Sequence, residues 1–100
     1  MRLETFDTLG SITTSGIIIP AGVVEALERG IIASIPYAIV IATTATAQIE
    51  GRISAAYPWV IIGASVTADA AGVLTVCLPE MRLNCTAWTS GNVDAGILLP

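Results

Sequence analysis

Short apolar stretches, interrupted by turn residues about every eight to twelve positions, are the feature that most restricts how this chain can fold. The stretches are rich in Ile, Val and Thr, which together make up about a third of the 100 residues. These β-branched side chains suit the pleated surface of a strand. The pattern therefore predicts an all-β fold, a single β-sandwich or barrel of about six to eight short antiparallel strands.

The clearest predicted strand covers residues 37–50, where apolar residues alternate with small and polar ones. It is long for one strand, so we expect a bulge or bend inside it and a tight turn over 50–52. Further turns are predicted over 69–72 and 90–92, the first closing a hairpin. The other predicted strands cover residues 17–19, 59–68, 73–78, 82–89 and 93–99.

Two segments near the N-terminus have a different character. Residues 1–16 are polar, and we interpret them as an N-terminal arm or a loosely held first strand, followed by a single β domain over 17–100. Residues 21–29 fit a short helix, with Pro20 before it and Gly30 closing it, but Val23 and Val24 also fit a strand. Both alternatives remain open at this stage.

Charge is scarce, with only 12 charged residues, no Lys or His, and a net charge of −4. This is about half the charged fraction of an ordinary globular domain. Another molecule must cover part of the surface, or small uncharged residues must coat it. The Arg residues are scattered and form no basic patch, so we expect no nucleic-acid partner.

The usual catalytic bases are also missing, and most carboxylates fall at predicted turns or strand ends. We therefore expect no enzyme, no cofactor and no metal site. Cys77 and Cys85 lack the spacing of metal ligands, and no His could complete a zinc site. The favoured interpretation is a pair of reduced, buried thiols, and the alternative is a disulfide across a hairpin.

Two uncharged stretches, residues 31–49 and 53–68, raise the question of a membrane. The first approaches the length of a spanning helix. However, it contains Pro36 and several Thr and Ala residues, and it alternates rather than forming a continuous apolar run. The alternation and composition therefore make a membrane partner the less favoured expectation. The polar N-terminus has no apolar core of a secretory signal, so we expect synthesis in the cytoplasm.

Three aromatic residues are candidate binding residues: Tyr57, Trp59 and Trp88. On an exposed rim they could stack on sugars or fill a partner's pocket. The simpler interpretation is that they pack in the core, because an indole buries a large area.

Residues 63–76 (GASVTADAAGVLTV) and 89–98 (TSGNVDAGIL, with the pair Val93-Asp94) resemble hairpins of known proteins. They are similar to the C-terminal hairpins of small β-sandwich virion proteins of tailed bacteriophages, of the decoration, head-fibre and tail-fibre types. Residues 77–85 (CLPEMRLNC) depart from that pattern. The resemblance implies a structural role in a virion, a symmetric homo-oligomer such as a trimer, and contacts with other virion proteins. It implies no catalytic residues.

The sequence therefore favours a non-enzymatic structural or assembly protein, made in the host cytoplasm and located in a phage virion. Its homo-oligomer would form through apolar β surfaces, which a monomer could not leave exposed to water. The alternative is a receptor- or glycan-binding module on a virion or cell surface. A small membrane protein is the third and weakest interpretation.

Overall fold

The computed structural model describes residues 2–42 and 44–100. These residues form eight strands and one short helix. In chain order the elements are β1 (Arg2–Thr5), β2 (Thr14–Ile18), α1 (Ala21–Glu28), β3 (Ile35–Ile41), β4 (Ala45–Arg52), β5 (Val60–Ile61), β6 (Ala70–Leu74), β7 (Glu80–Trp88) and β8 (Val93–Leu99).

The strands form two antiparallel sheets of four strands each. Sheet I has the order β1-β8-β3-β6, and sheet II has the order β2-β7-β4-β5. Each strand pairs with the one that mirrors it about the middle of the chain: β1 with β8, β2 with β7, β3 with β6 and β4 with β5. This nested pairing is the strand order of a jelly roll. The predicted all-β sandwich is confirmed.

The core lies between the two sheets and follows the alternation of the strands. In β8, for example, Val93, Ala95, Ile97 and Leu99 are buried. Each fully buried Ile or Leu contributes about 1.5–3 kcal/mol to folding. The side chains between them in β8 point away from the core, so the sandwich has an outer face on each sheet.

The ambiguous segment 21–29 is helical, as α1. Pro20 precedes the helix with a φ of −55°, which suits a helix start. Gly30 follows it with a φ of 74°, and the Ile31 N–H donates back to the Ala26 carbonyl at 2.9 Å. A glycine in the left-handed region is a common helix terminator, so Gly30 explains why the helix stops there.

The predicted long strand over 37–50 is wrong as one element. It is divided between β3 in sheet I and β4 in sheet II. The chain passes from sheet I to sheet II between the end of β3 at Ile41 and the start of β4 at Ala45. Thr43, within the predicted strand, lies outside the described residues. A bulge follows between Thr46 and Ala47. The tight turn predicted over 50–52 is also wrong, because these residues lie within β4.

The region after β4 is less regular than predicted. Of residues 59–68, only Val60–Ile61 form a strand, and Val66 makes an isolated bridge to Ala47. The hairpin turn predicted over 69–72, with a strand over 73–78, is replaced by β6, which pairs with β3. Asp69 fixes this arrangement, since its Oδ1 accepts a hydrogen bond from the Ile41 N–H at 2.8 Å.

Residues 2–16 do not extend away as the predicted N-terminal arm, and Met1 lies outside the described residues. Residues 2–5 form β1 at the edge of sheet I, and Phe6 and Leu9 are buried in the core. Thr14–Ile18 form β2, earlier than the strand predicted over 17–19. The last two predicted strands, 82–89 and 93–99, match β7 and β8 closely. The N-terminal segment is thus an integral part of the sandwich.

Candidate interaction surfaces

The outer face of sheet I has two adjacent rows of side chains that cross all four strands. The strand register places large apolar residues in one row, which we call the ridge: Leu3, Leu98, Pro36 and Val73. It places small residues in the next row, which we call the trough: Thr5, Gly96, Ala38 and Ala71. The face is therefore corrugated and almost entirely uncharged.

This face is open to solvent within the single chain. Leu3 is 62% exposed and Val73 57% exposed, and a depression of about 580 Å³ lies among β1, β3 and β8. Within the described strands of sheet I, Asp94 is the only charged side chain on the outer face, and it accepts a hydrogen bond from the Thr8 hydroxyl. In the part of the chain that the structure describes, no segment shields Leu3 or Val73 on the ridge from water.

The outer face of sheet II carries a charged cluster, which we define as Glu50, Arg52, Glu80 and Arg82. Glu50 lies opposite Arg82, and Arg52 lies opposite Glu80, on the neighbouring strands β4 and β7. Glu50 and Arg82 form an ion pair at 2.5 Å, and Arg52 and Glu80 form one at 3.0 Å. The cluster is therefore internally neutral.

Glu50 is the most tightly held member of the charged cluster, because it is only 5% exposed. Its carboxylate also accepts hydrogen bonds from the side-chain amides of Gln48 and Asn84, the latter at 2.9 Å. Burial alone would raise the pKa of Glu50. The hydrogen bonds from Asn84, Gln48 and Arg82, with the positive charge of Arg82, outweigh burial and hold the pKa below its ordinary value of 4.5.

The segment between β4 and β6 shields this cluster from water. Trp59 lies against it, with the guanidinium carbons of Arg52 and Arg82 each 4.4 Å from the centre of its ring. Ser65 donates a hydrogen bond to the Gln48 side-chain carbonyl. Arg52 Nε is buried and has no hydrogen-bond partner in the described part of the chain. The contact between the Arg52 guanidinium and the Trp59 ring offsets part of the cost of burying this unpaired donor.

The three candidate aromatic residues do not come together as one binding platform. Trp59 packs at the Arg52 end of β4, whereas Trp88 pairs with Ala45 at the other end of that strand. Trp88 packs against the core, and its Nε1–H donates to the Gly91 carbonyl at 2.8 Å. Tyr57 is 53% exposed. Two of the three aromatic side chains are thus occupied by contacts within the chain.

Both cysteines are buried and unpaired, as expected. Burial raises the pKa of the Cys77 thiol to about 11. Burial also raises the pKa of Cys85, although a backbone hydrogen bond at Ala87 opposes this. Both thiols therefore stay protonated near neutral pH and behave as small apolar side chains.

Sequence reasoning missed the charged cluster. The signal was available in the alternation Gln48, Glu50, Arg52 on one strand and Glu80, Arg82, Asn84 on another. A period of two puts each set on one face. The register that sets opposite charges against each other could not be inferred from the alternation alone.

In the residues that the structure describes, no group of three or more His, Cys, Asp or Glu side chains could hold a metal ion. None of the described helical structure is long and apolar enough to cross a membrane. No protein-family model, curated protein or solved structure matches the chain. The jelly-roll order therefore rests on the strand pairing itself.

Proposed function

We propose that this protein is a non-enzymatic structural subunit that assembles into a homo-oligomer through the outer face of sheet I. The observation that carries the proposal is that this face is apolar across four strands and bears one charged side chain, Asp94. On the outer face of sheet II, by contrast, the charged cluster on β4 and β7 is covered by the chain's own segment around Trp59.

The size of the face supports association. The strands lie about 4.8 Å apart, and two outward residues on each of β1 and β6 with three on each of β3 and β8 give roughly 330 Å² in projection. Soluble monomers rarely expose a continuous apolar patch larger than a few hundred Å² unless it contacts a partner. Burying such a face stabilises the assembled state by about 25 cal/mol per Å² of apolar area. The loss of translational and rotational freedom on association opposes this gain.

For the setting of this assembly we propose a tailed-phage particle, in which the subunit is a capsid decoration, fibre or tail part. The support is the resemblance of residues 63–76 and 89–98 to such proteins, together with the jelly-roll order, which is used by viral capsid subunits. Jelly rolls also occur in lectins and cupins, so the fold adds support without assigning the role.

Light scattering on the chromatographed protein, over about a hundredfold range of concentration, tests the assembly. We expect a mass above that of one 10.3 kDa chain at the upper concentrations. A monomer at every concentration would contradict the proposed assembly.

Mass spectrometry of purified particles, from a culture that expresses the gene, tests the setting separately. We expect the chain to purify with the particles in a fixed ratio to their other proteins. Its recovery only in the particle-free supernatant would remove the phage setting and leave the assembly proposal intact.

A further inference from the structure

We propose that two copies of this chain pair face to face through sheet I, with the ridge of each copy seated in the trough of the other. This inference rests on the proposed function, because it specifies the partner and the geometry of the same face. The occupant of the face is thus a second copy of the chain.

The geometry follows from the strand register. The ridge and the trough are neighbouring rows, about 7 Å apart along the strands, because they are separated by two residues. A two-fold axis that lies in the interface, parallel to the rows and midway between them, exchanges the two rows. Leu98 of one copy then lies over Gly96 of the other, and Val73 lies over Ala71.

Shape is what makes this arrangement self-complementary. Two sheets that pack face to face need interdigitated side chains at core density. A large residue opposite a small one satisfies that need at each of the four strands. Gly96 makes room for Leu3 of the same chain, whose side chain leans toward the trough, since a Cβ at this position would lie 3.3 Å from Leu3 Cδ1.

The position of Asp94 selects this axis over another. Asp94 lies beside Val40, in the row beyond the trough. With the axis between ridge and trough, the two Asp94 carboxylates fall at opposite rims of the interface, where water can reach them. An axis through the Asp94 row would bring two like charges together in a region shielded from water, which is unfavourable.

The area fits a weak, transient interface. With this axis only the ridge and trough rows overlap, so each copy contributes roughly 260 Å² in projection, and the pair buries less than about 1,000 Å² of accessible surface. An interface of this size is typical of transient contacts, so we expect a dissociation constant at the weak end of the micromolar range. The contact is isologous, so it closes as a pair and cannot by itself build a trimer.

A swap of ridge and trough on β6 tests the pairing. Val73→Ala removes a ridge side chain, and Ala71→Val fills the trough opposite it. Both residues are exposed on an edge strand, so neither change should alter the fold, and circular dichroism checks this. In a symmetric pair each change acts twice. We therefore expect each single variant to raise the dissociation constant about tenfold.

The double variant Ala71→Val/Val73→Ala has the same composition as the natural chain. It should restore the dissociation constant to within about threefold, because a large residue again faces a small one. The readout is sedimentation equilibrium on the natural chain and the three variants.

The outcomes separate this inference from the proposed function. If the dissociation constant of the double variant rose by the product of the two single-variant increases, the ridge-in-trough pairing would be wrong, although self-association would still stand. A trimeric natural chain whose assembly none of the variants affects would do the same. A natural chain that is monomeric throughout would overturn both.

Discussion

The outer faces of the two sheets differ in how far the chain itself covers them. On sheet II, charged residues are paired across β4 and β7, and the segment that contains Trp59 packs over them until Glu50 is nearly inaccessible. On sheet I, the outward residues apart from Asp94 are apolar or small, and Leu3 and Val73 remain more than half exposed. The two sheets have the same number of strands, but only on sheet II does the described chain cover the middle of the outer face.

This contrast explains the scarcity of charge in the sequence. Four of the 12 charged residues are in the cluster on sheet II, where they are paired with each other. They contribute little to the solubility of the rest of the surface. A second copy over sheet I would remove the apolar area that the remaining charges cannot offset.

The largest effect that we expect concerns the covered face. Glu50→Ala should lower the free energy of unfolding by about 3 kcal/mol, because Arg82, Gln48 and Asn84 lose their shared acceptor in a buried site. Denaturant titration of the monomer measures the change.

Glu80→Ala is the matched control for Glu50→Ala, since it also breaks an ion pair of the cluster. Glu80 and its partner Arg52 are each about a quarter exposed, so we expect a loss of about 1 kcal/mol or less. Equal losses in the two variants would mean that the cover over Glu50 has no energetic consequence.

A smaller effect should follow from removing the cover itself. Trp59→Ala takes away the ring contact of two guanidinium groups and exposes the cluster, and we expect a loss of about 1–2 kcal/mol. Tyr57→Ala, at an exposed position two residues earlier, should change the unfolding free energy by less than about 0.5 kcal/mol. If Tyr57 proves the more costly change, Trp59 is not the residue that closes this face.

The smallest effect should appear on acidification. Because the pKa of Glu50 is depressed in the folded protein, the charged form stabilises the fold above about pH 4.5. That contribution is lost as the pH falls through the depressed pKa. Glu50→Gln removes this titration, so its stability should fall less steeply than that of the natural chain below pH 4.5. If the curves of unfolding free energy against pH were parallel for the natural chain and Glu50→Gln, the pKa of Glu50 would not be depressed by folding.

Alternation along a strand could be predicted from the sequence, but pairing between strands could not. Strand β8 was predicted with its correct bounds because its apolar residues repeat every second position. The same regularity misled the prediction over 37–50. Ile41 and Ala45 are four residues apart and both buried, so the crossing from one sheet to the other preserves the period of two.

Strand β6 shows a different limit of sequence reasoning. Gly72 suggested a turn, but a Cβ there would lie 3.1 Å from the Tyr37 ring on the neighbouring strand. Glycine at this position therefore fits the close packing of Tyr37 rather than a turn. Likewise, the ridge and trough depend on the register of four strands that are distant in the sequence, and so the candidate surface appeared only with the structure.

Sedimentation velocity on the natural chain, Ala38→Glu and Ala87→Glu tests the central claim most directly. Ala38 lies in the trough of sheet I, and Ala87 is an exposed strand residue of sheet II. The two variants change charge identically. We predict that the natural chain and Ala87→Glu sediment as pairs at concentrations where Ala38→Glu is a folded monomer. An Ala38→Glu protein that sediments like the natural chain would contradict the account.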